Sequence, residues 1–174
     1  PTAPFVKVLE ERITSIARSQ DLLIHGEWTG ATVHDVVTSQ TAVAGDFPAT
    51  RLRIEGDPEL QFVPDTADRI GLAIYELTTN AIKYGALSND TGTVTVTWDL
   101  HDEEDKPVFR MCWKETGGPT VARPERRGFG SIVIEHNPRS IHGASSSCCH
   151  DPDGTVWTFS APAENVVRCP SRLF

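Results

Sequence analysis

No stretch of about 18 apolar residues occurs in these 174, and no charged N-terminal region runs into an apolar one, so neither a membrane span nor a secretory leader is expected. Basic residues are scarce: 16 Lys and Arg stand against 24 Asp and Glu, a formal net charge of −8. A surface of that sign argues against nucleic-acid binding and direct membrane contact, because both need basic patches to neutralise phosphate. Any bound polyphosphate must be held locally, by backbone amides and a few cations. Cysteine is sparse too. Cys112, Cys148, Cys149 and Cys169 show neither the two-residue gaps of a zinc site nor the density of a disulfide scaffold, which leaves reduced thiols and a cytoplasmic setting as the expectation. His142, Cys148, Cys149 and His150 lie near one another in sequence, but neighbours on a strand point to opposite faces and cannot easily share one ion. Internal repeats and low-complexity segments are absent, and a 39% hydrophobic content suits a single core.

What the chain does have is one long helical stretch, expected from Pro64 at its entrance to about Leu87, with Asp65 or Thr66 near its N-terminus. On it Glu76, Asn80 and Lys83 fall on one side, while Ile70, Ile74, Leu77 and Ala81 fall on the neighbouring side. A carboxylate, a carboxamide and an ammonium in that order suit a divalent cation and the phosphates it carries, because Mg²⁺ takes oxygen ligands and keeps much of its water. A solvated helix face has the same composition, so the trio alone does not decide.

Ahead of that helix, Val6, Leu9, Ile13, Ile16 and Leu23 form a narrow apolar seam, which fits an amphipathic helix or one arm of a bundle. Val33, Val36, Val37 and Ala44 suggest another helix, capped by Thr29 or Thr32 and ending at Gly45. Residues 51–56 and 60–63 read as short strands joined by a turn at Gly56-Asp57-Pro58. Val94, Val96 and Trp98 alternate strictly, an acidic hairpin loop spans His101 to Lys106, and Val108 to Lys114 is the next strand. The run from Glu115 to Arg127 lacks periodicity and is the candidate functional loop. A helix starts at Gly128-Phe129-Gly130 and is interrupted near Pro138; residues 144–149 and 156–160 then form a hairpin turning at Asp151-Pro152-Asp153-Gly154. The tail after Pro162 has little pattern. This order predicts an α/β fold, a two-layer sandwich of helices on a mixed, mostly antiparallel sheet, with an N-terminal bundle helix.

Three ordered segments carry more than any one of them: Glu76-x-x-x-Asn80-x-x-Lys83, then Trp113-Lys114-Glu115-x-Gly117-Gly118-Pro119, then Arg127-Gly128-Phe129-Gly130. Together they resemble the N, G1 and G2 boxes of the HWE histidine kinases, whose Bergerat-type ATP-binding fold is shared with DNA gyrase and MutL. Residues 17–23 through 28–31 also resemble that family's junction between dimerisation helix and catalytic domain. The resemblance implies residues 1–28 as the second helix of the dimerisation and phosphoacceptor region with its junction, 29–163 as the ATP-binding catalytic domain, and 164–174 as a tail.

It further implies ATP and Mg²⁺ as cofactors, with Asn80 as the Mg²⁺ ligand, Glu76 as the acid that hydrogen-bonds the metal's water or assists transfer, and Lys83 meeting phosphate. Tyr84 joins the nucleotide-binding set. Glu115 corresponds to the acid that accepts from the adenine amino group, a role open to a carboxylate because it can only accept. Gly117 and Gly118 let the backbone approach the base. Arg127, Gly128, Phe129 and Gly130 sit at a helix N-terminus that favours phosphate oxygens.

The implied function is a two-component sensor histidine kinase. Its γ-phosphate goes to a His on a helix upstream of this stretch, and thence to an Asp of a response-regulator receiver domain. A homodimer through the N-terminal helix is a further implied partner. None of the six His here has the setting of a phosphoacceptor, so autophosphorylation of these residues alone is not expected. Two departures stand out: Tyr75 occupies the place of the His that precedes the N-box Glu, and Asn137-Pro138-Arg139 shortens the helix after the G2 box. A degenerate module for dimerisation or partner binding, and an ATPase or serine kinase of the same fold such as an anti-sigma factor, are the rival readings.

Overall fold

Alternation of Val94, Val96 and Trp98, and again of Phe109, Met111 and Trp113, gives two long strands one buried apolar face each, and the rest of the core gathers on that face. The computed structural model describes residues 31–45, 47–104, 106–120 and 129–168; the seam from Val6 to Leu23 lies outside them. In chain order the elements are α1 (Val33–Thr41), β1 (Leu52–Gly56), β2 (Gln61–Phe62), α2 (Pro64–Lys83), β3 (Thr93–Glu103) and β4 (Lys106–Thr116). A helical run over 129–139, α3, follows, then β5 (Ser145–Asp151), β6 (Gly154–Pro162), α4 (Ala163–Val166) and β7 (Val167–Arg168). Five strands make one sheet in the order β1-β3-β4-β6-β5, antiparallel except where β1 lies parallel to β3. The expected α/β sandwich is what forms. Trp157 and Phe159 stack at 6.1 Å on the inner face, and Phe62 meets Phe109 edge-on at 5.6 Å. The outer face is polar, with half-buried Thr93, Thr95 and Thr97 on β3.

Local signals held for α1, where the Thr32 side chain accepts from the Asp35 amide at 3.0 Å, one of the two caps expected. Other boundaries moved. The long helix stops at Lys83 instead of about Leu87, because Gly85 turns extended and residues 86–88 form a separate 3₁₀ turn. The acidic segment from His101 to Lys106 is mostly strand: β3 runs to Glu103, paired with Lys106, and Glu104 takes a positive φ of 50° in the tight turn.

The largest difference concerns β1 and β2, which the sequence joins by a turn. They do not pair with each other. β1 pairs with β3 across α2, the crossover that a parallel pair requires, while β2 pairs with β7. Residues 163–168, read as patternless, thus form α4 and β7, with Val166 and Val167 buried.

Pro138 does not break α3. An α-helix would need a residue-138 amide for the Ile134 carbonyl, and proline has none. The run instead widens into a π-turn over Ile132–His136, with the Asn137 amide on the Ile132 carbonyl. The Ile134 carbonyl accepts from Trp157 Nε1 at 2.9 Å and Ser146 Oγ at 3.1 Å. The helix then ends at Arg139, as short as the sequence implies.

Candidate functional site

The polar face of α2 lies between two other segments that the sequence singled out. Glu76 is 7% exposed, an unusual burial for a carboxylate, and Asn80 beside it is half-buried. Lys83 and Tyr84 at the helix end are exposed, Tyr84 at 74%. By the helix rise, Glu76 and Lys83 are about 10 Å apart along the axis. At the Glu76 end stands the start of α3: a Cβ built on Gly130 would lie 3.4 Å from Glu76 Oε2. Phe129 opens α3, whereas Arg127 and Gly128 lie outside the described residues. Tyr75 is buried at 5%, on the packed side of the helix.

At the other end, β4 delivers Glu115. Phe109, Met111, Trp113 and Glu115 alternate inward, so a carboxylate ends an otherwise apolar row and is 3% exposed. It is not an open acceptor. Glu115 Oε2 accepts from the Ala86 amide at 2.8 Å and Oε1 from Trp113 Nε1 at 3.1 Å. Burial pushes its pKa above the ordinary 4.5, and the Ala86 amide, the Trp113 indole and the charge of His150 pull part of that back. Trp113, read from sequence as core, is therefore both core and an orienting donor.

The glycines here answer first to the protein itself. A Cβ at Gly85 would fall 2.1 Å from Glu115 Oε2, and one at Gly118 would fall 2.8 Å from the Ala86 Cα. The backbone after α2 and the backbone after β4 thus touch without side chains between them. Gly117, in the left-handed region at φ 71°, gives its carbonyl to Asn89 Nδ2 at 3.0 Å.

Arg51 and Asn89 belong to this corner, and sequence reasoning missed both. Asn89 caps its own turn through Oδ1, which accepts from the Thr91 and Gly92 amides at 3.1 and 2.7 Å. Arg51 donates to the carbonyls of Gly92 (3.0 Å), Ala86 (3.4 Å) and Asn89. The only available signal was an Asn-Asp-Thr-Gly turn; nothing local to Arg51 announces partners so distant in the chain.

The donor set fits Mg²⁺ carried by a polyphosphate. Asn80 offers one amide oxygen as a ligand and Glu76 a carboxylate suited to the ion's bound water, which matches the one or two protein ligands such an ion takes when phosphates and water supply the rest. Among the described residues no three His, Cys, Asp or Glu gather as a closed metal cage. His142, Cys148, Cys149 and His150 form no such group. Burial also pushes the Cys148 thiol up to about 12, far from the thiolate a metal needs. Among the described residues no helix is long and apolar enough to cross a membrane. A shallow cleft of about 430 Å³ opens on the outer sheet face between Asp99, Arg110 and Thr158, away from α2, and takes no part in this site.

The chain matches the model of the HWE histidine kinases over residues 2–58. It is 36% identical over 156 residues to a blue-light-activated histidine kinase of Brucella anthropi, covering 90% of this chain and 32% of that protein. A relative of the same name from Brucella ovis is 36% identical over 128 residues, 74% of this chain and 26% of the relative. The chain thus spans about a third or less of the curated relatives it matches. Among solved structures, the histidine kinase domain of the Erythrobacter litoralis blue-light-activated histidine kinase superposes with a TM-score of 0.63 at 17% identity, over 90% of this chain and 75% of that one. The catalytic domain of the histidine kinase ThkA gives 0.52 at 16% identity, over 75% and 93%. At those identities the structures speak for the fold alone.

Proposed function

The chain belongs to the HWE histidine kinases, and on that premise we propose that residues 29–163 are an ATP-binding catalytic domain which phosphorylates a His outside these 174 residues. The observation that carries this reading is the convergence on one helix face. Gly130 stands against Glu76 at one end, and the Glu115 corner closes on Gly85 and Ala86 at the other. A nucleotide laid along α2 would meet a carboxylate at its base and a glycine-opened helix start at its phosphates.

In this reading Glu115 accepts from the adenine amino group. A carboxylate has about four acceptor positions, and its two protein donors leave the others for the base. Gly117 and Gly118 keep side chains away from that base, and Tyr84 lines its exposed edge. Asn80 holds Mg²⁺, which neutralises triphosphate charge when bound; Glu76 orients water beside it, and Lys83 together with Arg127, Gly128, Phe129 and Gly130 receives the phosphates. The chemistry is placement and electrostatics. An imidazole nitrogen of the upstream His attacks the γ-phosphorus, the new P–N bond forms as the bond to the β,γ-bridging oxygen breaks, and ADP leaves. The phosphoryl group then passes to an Asp of a response-regulator receiver domain. Residues 1–28 serve as the second helix of the dimerisation region, through which a homodimer forms in the cytoplasm, while residues 164–168, expected from sequence as the start of a tail, pack into the domain through β7.

The test uses the full-length protein. With radiolabelled γ-phosphate it is expected to gain an acid-labile, alkali-stable label, and Asn80→Ala is expected to lower that labelling by at least about 100-fold. Undiminished labelling of Asn80→Ala would overturn the assignment.

A further inference from the structure

The Glu115 corner is built from two pieces of backbone, and a single guanidinium holds one of them. Arg51 stands immediately before β1, with its own carbonyl fixed to β3 by the Val94 amide at 2.8 Å. Its guanidinium carbon lies 4.9 Å from the centroid of the Phe47 ring, a cation–π contact that fixes the side chain from one side. The nitrogen fork then reaches the 86–92 turn: Nε to the Gly92 carbonyl at 3.0 Å, one terminal nitrogen to the Ala86 carbonyl at 3.4 Å and to the Asn89 carbonyl. Three carbonyls of one turn, 35 to 41 residues away in the chain, converge on this planar donor set.

Each branch continues into the corner. The Ala86 peptide faces Arg51 with its carbonyl and Glu115 Oε2 with its amide, so the position of Arg51 reaches the carboxylate through one residue. Asn89 faces Arg51 with its backbone carbonyl and holds the Gly117 carbonyl through Nδ2. Within the turn, Gly92 packs on the Ala86 carbonyl so closely that a Cβ there would fall at 2.0 Å. Released from Arg51, the turn loses its only charged donor among the described residues; Glu115 keeps the Trp113 indole, while the Ala86 contact to Glu115 and the Asn89 contact to Gly117 lose their anchor.

We propose that Arg51 is a positioning residue for the base-binding end of the site: it sets the 86–92 turn that aims Glu115 and Gly117. This rests on the nucleotide reading above. Arg51 touches neither base nor phosphate in that reading, so its effect must be selective for nucleotides that carry adenine.

The experiment compares binding of Mg-ATP, Mg-GTP and Mg-tripolyphosphate to the 174-residue chain and to Arg51→Met, with circular dichroism confirming the fold. Arg51→Met is expected to weaken Mg-ATP binding about tenfold or more, the worth of a lost charge-assisted hydrogen-bond set. The preference for ATP over GTP should shrink with it, while tripolyphosphate binding stays unchanged. Arg51→Lys, which keeps the charge but not the fork, is expected to restore part of the loss. Should Arg51→Met fail to fold, Asn89→Asp keeps the Oδ1 cap of the turn, removes the Nδ2 donor to Gly117 and is expected to reduce the same preference. Equal loss for all three ligands, or an unchanged ATP preference in the folded variant, would overturn the proposal. If the unsubstituted chain binds tripolyphosphate but shows no preference for ATP, the reading of Glu115 falls first, and the two failures are thereby told apart.

Discussion

A carboxyl group buried at the end of an apolar row ionises reluctantly, and Glu115 is in that position. Below pH 4.5 it is protonated whether the chain is folded or not. Between 4.5 and its higher folded value the unfolded chain has lost the proton and the folded chain has kept it. Its contribution to stability is therefore full below 4.5 and declines as pH rises through the folded value. Function runs the other way, since only the ionised group is purely an acceptor. Mg-ATP affinity is expected to fall as pH is lowered from neutral to about 5, by more than Mg-tripolyphosphate affinity falls under the same titration. Parallel pH profiles for the two ligands would contradict a base-contacting Glu115. At this scale Glu76 and Glu115 were legible through the three ordered boxes together: helical spacing alone put Glu76 on a polar side with Asn80 and Lys83, and Glu115 stood at the head of a run without periodicity. Arg51 was not readable, because its partners are 35 to 41 residues off and any exposed-looking Arg before a strand has the same local pattern.

Elements came through where periodicity decides them and shifted where a tertiary partner does. α2 was legible from its apolar spacing and its N-terminal Pro64, yet its last turn was not, since Gly85 bends the chain to bring Ala86 onto Glu115. In α3 the sequence flagged Pro138 as an interruption. It could not show that the orphaned Ile134 carbonyl finds Trp157 Nε1, 23 residues away, and Ser146 Oγ. That pair of donors is what lets a π-turn replace a break, and it keeps Gly130 at the correct end of α2. Trp157→Phe removes the indole donor and leaves a smaller ring in a fully buried place, while Ser146 Oγ still reaches the Ile134 carbonyl; it is expected to cost about 1–3 kcal/mol in urea unfolding. An unchanged midpoint and slope would mean that the π-turn does not depend on the indole.

For the whole molecule, alternation and hairpin turns specified most of the sheet, because antiparallel neighbours are also neighbours in sequence. The parallel pair β1 and β3 and the small β2 and β7 pair were hidden for the opposite reason: their partners are separated by a helix or by most of the chain, and no local residue records the pairing. Those long-range pairings shape the site. β1 carries Arg51 to the turn after α2, and β4 carries Glu115 to the same place from the other side of β3. Calorimetric titration of the 174-residue chain with ATP and Mg²⁺ decides whether this arrangement binds the nucleotide. Saturable binding of one ATP per chain that weakens when Mg²⁺ is chelated, and is lost in Asn80→Ala, is the predicted result; no heat of binding from a folded, unsubstituted chain would contradict it.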